Sequence, residues 1–259
     1  IIKLVDNWSF PKTDLEIIKR DWAIITNKII AGKAHELSEG DTLYLGACTK
    51  GGKGGNPRQQ PNNSILAKQR AYSLKQGYVN HMIATIACEP LEKYGKLIQN
   101  AETVKEQSLE EIVISKFTPL LGKTDNEIMF ELNISPINVK VKDYHSRISK
   151  AIVNSVFGVP LNKKIEDYIE EFKKADIIVK TVRLKENNLP KEDISFPRFN
   201  YLDLVNEEWD ESEFKNRLEQ KFLFVFFQYE SESLVLRKVK FWNMPYNDIL
   251  ESEKVWART

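Results

Sequence analysis

A run of basic side chains without any acidic residue is the part of this 259-residue sequence best suited to chemistry with a charged partner. Between Asp41 and Glu89 the chain holds six of its 38 basic residues and none of its 37 acidic residues. The six are Lys50, Lys53, Arg58, Lys68, Arg70 and Lys75. Because the formal net charge of the whole chain is only +1, the remainder is acidic overall. Such asymmetry indicates an anionic polymer as partner, and lysine and arginine neutralise phosphate groups.

The segment from Thr49 to Lys75 combines two kinds of local structure. Its first part, TKGGKGGNPRQQPNNS, predicts a mobile loop that can follow a groove. Its second part, AKQRAYSLK, predicts a strand. Alternation along a strand would place Lys68, Arg70, Tyr72 and Leu74 on one face, and Gln69, Ala71, Ser73 and Lys75 on the other. An extended ribbon of this kind can enter a nucleic-acid groove, whereas the alternative is a solvated surface loop.

Other chemical motifs are incomplete. GACTKGGKGG has glycines spaced as in a phosphate-binding loop, but Gly52 stands where that loop needs lysine. HELSE lacks the second histidine of a zinc-protease helix. Cys48 and Cys88 have no neighbouring Cys or His pairs, so we interpret them as reduced thiols without a metal.

The elements that would position the basic segment can be predicted from periodicity. Apolar residues at helical spacing predict a helix over residues 12–31, which Gly32 would end. TLYLGA predicts a short strand, and the acidic stretch from Glu89 to Gln107 predicts a linker. SLEE at Ser108 is a capping box that opens a second domain.

The second domain alternates predicted helices and strands. NEIMFEL and YHSRISKAIVNSVF predict helices, the latter ending at Gly158. DIIVKTVRL predicts a central strand, and FLFVFFQY with LVLRKVKFW predicts a hairpin across ESES. Helices interleaved with strands indicate an α/β fold with helices packed around a sheet.

One phrase occurs twice in the chain. WSFPKTDLEIIKRDW at residues 8–22 returns as WNMPYNDILESEKVW at residues 242–256, without a gap. A single long-period repeat indicates two similar domains in succession, so we expect the sequence to be a segment of a longer protein. The chain begins with Ile1 and has no apolar run near about eighteen residues, so we expect a cytoplasmic protein without a membrane partner.

The sequence resembles a known family. GKAHELSEGDTLYLGACTKG, the QP that follows and AKQRAYSLK are similar to the GATC-cutting type II restriction endonucleases of the Sau-three-A type, relatives of the mismatch-repair nicking enzyme MutH. The resemblance continues through Gly122-Lys123, Ala151-Ile152, VKTV at residues 179–182 and the second tryptophan phrase. It implies a MutH-like restriction-endonuclease fold, with a mixed central sheet flanked by helices and two such units in tandem.

The resemblance also implies a domain organisation. Residues 1–88 would form the C-terminal DNA-recognition lobe of a first unit, residues 89–107 a linker, and residues 108–259 the N-terminal part of a second unit. The family's DNA-contacting positions correspond here to Lys50, Lys68, Arg70, Ser73 and Lys75, to which the basic segment adds Thr49, Lys53 and Arg58. We assign contacts with base edges to Lys50 and Ser73, and contacts with phosphates to the others.

Cleavage in this family uses an Asp and then Glu-x-Lys, in which two carboxylates hold Mg²⁺. Lys180 matches that lysine, but Ile178 occupies the glutamate position and Asp176 is the single carboxylate on the expected strand face. One carboxylate is a poor substitute for two, so we predict a degenerate second unit without a metal. The Mg²⁺-binding carboxylates are expected upstream of Ile1, and Asp167, Glu170 and Glu171 are predicted to form a solvated helix face.

The leading hypothesis is therefore a GATC-specific DNA-binding and effector part of a restriction endonuclease. Its partner would be double-stranded DNA containing GATC, with self-association on DNA that carries two sites. One alternative is a self-sufficient Mg²⁺-dependent nuclease, with Asp176, Glu171 and Lys180 in a relocated site. The other is an interaction module whose basic loop binds an acidic protein or nothing.

Overall fold

The computed structural model describes residues 9–50, 55–87, 95–136, 143–196, 198 and 200–258. Within these ranges the helices are α1 (Lys12–Ile30), α2 (Gln76–Ile86), α3 (Ala101–Glu106), α4 (Leu109–Phe117), α5 (Asp125–Glu131), α6 (Tyr144–Val156), α7 (Ile165–Tyr168), α8 (Glu170–Lys174), α9 (Tyr201–Leu204), α10 (Glu213–Leu218) and α11 (Tyr246–Trp256). The strands are β1 (Leu45–Thr49), β2 (Arg58–Gln60), β3 (Asn63–Ala67), β4 (Arg70–Leu74), β5 (Ile178–Leu184), β6 (Phe222–Glu230) and β7 (Ser233–Trp242). The predicted α/β class is confirmed.

A mixed three-stranded sheet organises the second half of the chain. β5 runs parallel to β6, and β6 forms the predicted antiparallel hairpin with β7. The prediction that DIIVKTVRL is a central strand is wrong, because β5 lies at the edge and β6 in the middle. The reason is that β6 carries large apolar side chains on both faces, whereas β5 carries charged side chains that an edge strand tolerates.

Two smaller β structures lie in the first half. β4 confirms the strand predicted at AKQRAYSLK, and it pairs with β1 in antiparallel register. Part of the predicted mobile loop instead forms the β2–β3 hairpin, in which Gln60 pairs with Asn63. Asn62 occupies the turn in the left-handed region, with φ 55°, which asparagine tolerates better than most residues.

Helix ends follow their sequence signals. At the head of α4, Ser108 Oγ accepts from the Glu111 amide at 3.2 Å, and the Glu111 carboxylate accepts from the Ser108 amide at 2.7 Å. This confirms the predicted capping box. Gly32 follows α1 with φ 72°, and a Cβ there would lie 3.0 Å from the Asn62 carbonyl oxygen. Glycine thus lets the hairpin turn pack against the end of α1.

One main core includes side chains from both predicted units. Tyr44 and Tyr78 of the first half are buried in the same apolar cluster as Phe172 and Val225 of the second half. Residues 95–107 are not a free linker, because Ile98 and Val104 from this stretch are also buried in that cluster. The domain boundaries at residues 88 and 108 stay a prediction.

The repeated phrase forms the same local structure twice. Pro11 precedes α1 with φ −53° and ψ 143°, and Pro245 precedes α11 with φ −58° and ψ 144°. The two copies differ in packing, because Trp256 of α11 lies 5.8 Å from the Trp209 ring whereas Trp22 of α1 is 52% exposed. None of the described helices combines the length and apolar character needed to cross a bilayer.

Candidate nucleic-acid interface

The end of β1 and the β2–β3 hairpin present the accessible basic side chains of the predicted DNA-contacting segment. Thr49, which is partly buried, ends β1 opposite Arg70, and the Lys50 amide donates to the Gln69 carbonyl at 2.8 Å. Lys50 and Arg58 are exposed, and within the described residues neither side chain has a hydrogen bond or ion pair. Lys53 lies outside the described residues. Among the described residues, Lys50 and Arg58 are thus accessible to phosphates or bases.

Lys68 is held by acidic side chains from the second half. Its ammonium lies 3.3 Å from the Glu253 carboxylate on α11 and 3.7 Å from Asp210. The segment between Asp41 and Glu89 lacks acidic residues in sequence, yet the fold brings carboxylates to it. Lys68 can therefore reach a phosphate only by giving up these partners.

The side chains of Arg70 and Lys75 donate hydrogen bonds to backbone carbonyls within the protein. The Arg70 guanidinium donates to the carbonyls of Ala47 and Leu37, which joins β4 to the β1 strand and the segment before it. Lys75 is 8% exposed and donates to the Thr42 carbonyl at 2.7 Å. Burial lowers the pKa of Lys75 to about 8. The predicted phosphate contact by Lys75 does not agree with this position, because its ammonium is enclosed in protein.

Ser73 lies in the middle of β4, opposite Gly46, and is partly buried. On the same strand Tyr72 is 53% exposed. The hairpin adds exposed Ile65 and Leu66, which the sequence analysis missed. Their signal is an adjacent apolar pair inside an otherwise polar stretch. The accessible surface is thus partly apolar as well as basic.

Asp21 of α1 positions the start of β1. Its carboxylate accepts from the amides of Leu43, Tyr44 and Leu45 at 2.9, 2.6 and 2.9 Å. Burial raises the pKa of Asp21, while these three amides oppose the rise. The sequence did not indicate a role for Asp21, because the repeated motif does not retain an acidic residue there. The equivalent position in the second copy is Val255.

The predicted vestigial catalytic residues are separated. Asp176 does not lie on β5 but precedes it with φ 51°, and its carboxylate accepts from the Gly77 amide at 3.0 Å in the first turn of α2. Ile178 is the first residue of β5 and pairs with Phe222. Lys180 donates to the Ser195 carbonyl at 3.2 Å. The expected alignment of all three on one strand face is wrong for Asp176, which stabilises a helix start.

Two of the three acids predicted to form a solvated helix face are not solvated. Glu171 is 5% exposed and accepts from the amides of Leu97 and Ile98. Glu170 pairs with Lys174 at 2.6 Å and Lys96 at 3.2 Å. Only Asp167 is exposed as predicted. Glu171 therefore has a structural role, because its carboxylate holds the backbone of residues 97–98.

A Mg²⁺ site does not fit the residues around Lys180. Such an ion prefers several oxygen ligands, but the Ile178 side chain has no oxygen. The Asp176 carboxylate already accepts a hydrogen bond from the Gly77 amide of α2. Across the residues that the structure describes, no group of three or more His, Cys, Asp or Glu side chains could hold a metal ion.

Comparison with known proteins shows two similarities. Residues 157–249 match the family model of the DNA mismatch repair enzyme MutH. The chain is 39% identical over 244 residues to the type II restriction enzyme Sau3AI of Staphylococcus aureus. The chain thus contains a MutH-like region and is similar to Sau3AI over most of its length. The alignment covers 91% of this chain and 49% of Sau3AI, so the chain spans about half the length of that relative.

The MutH-like match includes the whole three-stranded sheet and the helices α7 to α10. Ile178 and Lys180 fall inside it, whereas Lys50 and Arg58 precede it. The MutH-like region thus contains the position where the family's metal ligands are expected, and the exposed cations lie in the part of the chain that comes before.

Proposed function

We propose that this chain is a DNA-binding part of a Sau3AI-like type II restriction endonuclease and that it recognises GATC in duplex DNA. The observation that supports the proposal most is a pair of exposed cations, Lys50 and Arg58, which have no side-chain partner in the described part of a chain that is 39% identical to a restriction enzyme. The major groove admits a two-stranded β-ribbon, and the β2–β3 hairpin is such a ribbon.

In this proposal Arg58 and Thr49 contact phosphates, and Lys50 contacts a base edge, as does Ser73 where the duplex reaches it. Lys53 would extend the phosphate contacts, and Lys68 would join them when DNA displaces its carboxylate partners. Exposed Ile65 and Leu66 supply apolar contact of the kind that thymine methyl groups accept. Arg70 and Lys75 hold the strands that carry these residues.

The test is a binding titration with a GATC duplex and a scrambled duplex of equal length over a range of salt concentrations. Lys50→Ala should narrow the difference between the two duplexes by about 1 to 3 kcal/mol, the value of a good base-edge contact. Arg58→Ala should weaken both equally and flatten the salt slope by about one. Lys116, exposed on α4, provides the charge-matched control Lys116→Ala, which should change neither quantity. Equal binding of all four proteins to both duplexes would refute the proposal.

We also propose that the second half of the chain, which contains the MutH-like match, is an effector that does not cleave DNA itself. It would bind a second target and promote self-association on DNA with two sites. The support is the lack of metal ligands. Ile178 occupies the position of a metal-binding glutamate, and the Asp176 carboxylate accepts a hydrogen bond from the first turn of α2. Incubation with plasmid DNA and Mg²⁺ should give no cut product. Metal-dependent cutting that Lys180→Ala abolishes would contradict the effector role and favour the self-sufficient nuclease.

A further inference from the structure

The face of the three-stranded sheet that points away from the main core is lined by aromatic rings. Alternation along β6 places Leu223, Val225 and Phe227 in the core, each fully buried. Phe222, Phe224 and Phe226 are on the opposite face and belong to none of the apolar core clusters of the described residues. This second set is called the aromatic face below.

The rings of the aromatic face form a continuous ladder. Phe222 and Phe224 stack with centroids 5.6 Å apart and an interplanar angle of 4°, and Phe226 follows Phe224 at 5.9 Å. Trp242 of β7 lies 5.7 Å from Phe224. Phe222 is buried, but Phe224, Phe226 and Trp242 are only partly buried. The ladder therefore presents aromatic surface to solvent.

Lysines border the ladder on both sides. Lys180 of β5 pairs with Phe224 from one side, and Lys240 and Lys238 of β7 pair with Phe224 and Phe226 from the other. Lys238 and Lys240 are exposed, and within the described residues neither ammonium has a hydrogen bond or ion pair. Ile178, Val182 and Leu184 of β5 are in register on this face, and alternation along β6 continues the face through Gln228 and Glu230. The Glu230 carboxylate pairs with Arg237, so it is not the counter-charge of Lys238 or Lys240.

Within the described residues, the rings have the unpaired ammonium groups of Lys238 and Lys240 on one side and Lys180, which donates to the Ser195 carbonyl, on the other. This arrangement differs from both a buried core and a metal site. A packed protein partner would leave the ammonium groups without counter-charge, whereas a nucleic-acid strand supplies a flat base for each ring and a phosphate for each lysine. The charge of this face complements a phosphate backbone.

We propose that the aromatic face binds single-stranded nucleic acid, with bases stacking on Phe224 and Trp242 and phosphates near Lys180, Lys238 and Lys240. Stacking does not depend on base identity, so the site accepts any sequence. It uses other residues than the duplex surface at Lys50 and Arg58. Because Ile178 and Lys180 lie on the same face, it rests in part on the effector function proposed above, which assigns a second target to this part of the chain.

The test uses a fluorescent oligothymidine of about 12 nucleotides, a length within the range of one stacking groove, in fluorescence anisotropy at low salt. The unchanged protein should bind it with a salt slope near −2, about −0.7 for each of three lysines. The double variant Lys238→Gln, Lys240→Gln should bind about tenfold more weakly, since both side chains are exposed and their loss leaves folding intact.

Phe224→Leu keeps apolar volume but removes the flat ring, and it should weaken binding about tenfold. Lys116→Gln is the control and should bind the oligonucleotide as the unchanged protein does. Failure of the unchanged protein to bind would overturn the proposal, as would full binding by the lysine double variant. Tighter binding of a duplex of equal length at this face, or a loss of self-association in Phe224→Leu with oligonucleotide binding unchanged, would also overturn it.

Discussion

Lys75 is a buried ammonium whose position gives the protein a pH-dependent stability. Because burial lowers its pKa to about 8 from the ordinary 10.5, the unfolded chain holds this proton more strongly than the folded protein does. Stability should therefore rise as pH increases above about 8. We expect the free energy of unfolding in urea to increase by about 1 kcal/mol between about pH 7.5 and 9.0, where few unfolded tyrosines are ionised.

Lys75→Met should remove this increase, because methionine fills similar space without a charge. Lys116→Met, at an exposed site, should retain it. An equally steep pH profile in Lys75→Met would assign the increase to other groups.

Asp14 and its repeat counterpart Asp248 form a matched pair for measuring what burial does to a carboxylate. Asp14 lies 2.8 Å from the Lys174 ammonium, with both side chains buried, and accepts from the Tyr78 hydroxyl at 2.9 Å. Asp14→Asn should destabilise the protein by about 3 kcal/mol, because it leaves a buried ammonium with one partner fewer. Asp248 is exposed at the start of α11, so Asp248→Asn should cost less than about 1 kcal/mol. Equal losses in urea unfolding would show that Asp14 is not part of a buried pair in solution.

At the scale of elements, α11 restrains a cation of the proposed DNA surface. Glu253 and Lys68 are partly exposed, so their pair adds little to stability, but it competes with phosphate. Glu253→Gln should therefore tighten duplex binding about two- to fivefold at low salt, and the gain should fade at high salt.

Glu251→Gln on the same helix is the control for overall charge, because Glu251 pairs with Lys254 and not with Lys68. It should bind duplex nearly as the unchanged protein does. If both variants bind duplex more tightly by the same factor, the loss of a negative charge that repels DNA accounts for the change. Glu253 would then not restrain Lys68.

Local sequence signals predict the elements well and their contacts poorly. The capping box at Ser108, the helix end at Gly158 and the β6–β7 hairpin depend on neighbouring residues, so they can be predicted. The edge position of β5 and the burial of Lys75 depend on partners distant in sequence. Asp14 and Lys174, 160 residues apart, carry no local sign that they meet. For the same reason the basic segment predicts an anionic partner, but not which of its cations the fold encloses.

At the scale of the whole molecule, the shared core predicts that both halves unfold together. Tyr44 and Tyr78 pack in the cluster that contains Phe172 and Val225, so loss of either half exposes the other's apolar surface. Hydrogen exchange at increasing denaturant should show the amides of β1 and β6 becoming unprotected at the same concentration. Earlier exchange of β1 would show that the first half opens as a separate unit.

The buried bond between Asp14 and Lys174 also bears on how the protein is made. During synthesis the first helix leaves the ribosome long before Lys174, because 160 residues separate the two partners. Until then Asp14 and Tyr78 lack the ammonium that they enclose, and Ile17 lacks most of its apolar neighbours. Contacts between residues so far apart in sequence form slowly, because the chain loses the entropy of closing a large loop before these contacts stabilise it. The nascent first half should thus remain exposed to proteases and chaperones until translation has passed α8.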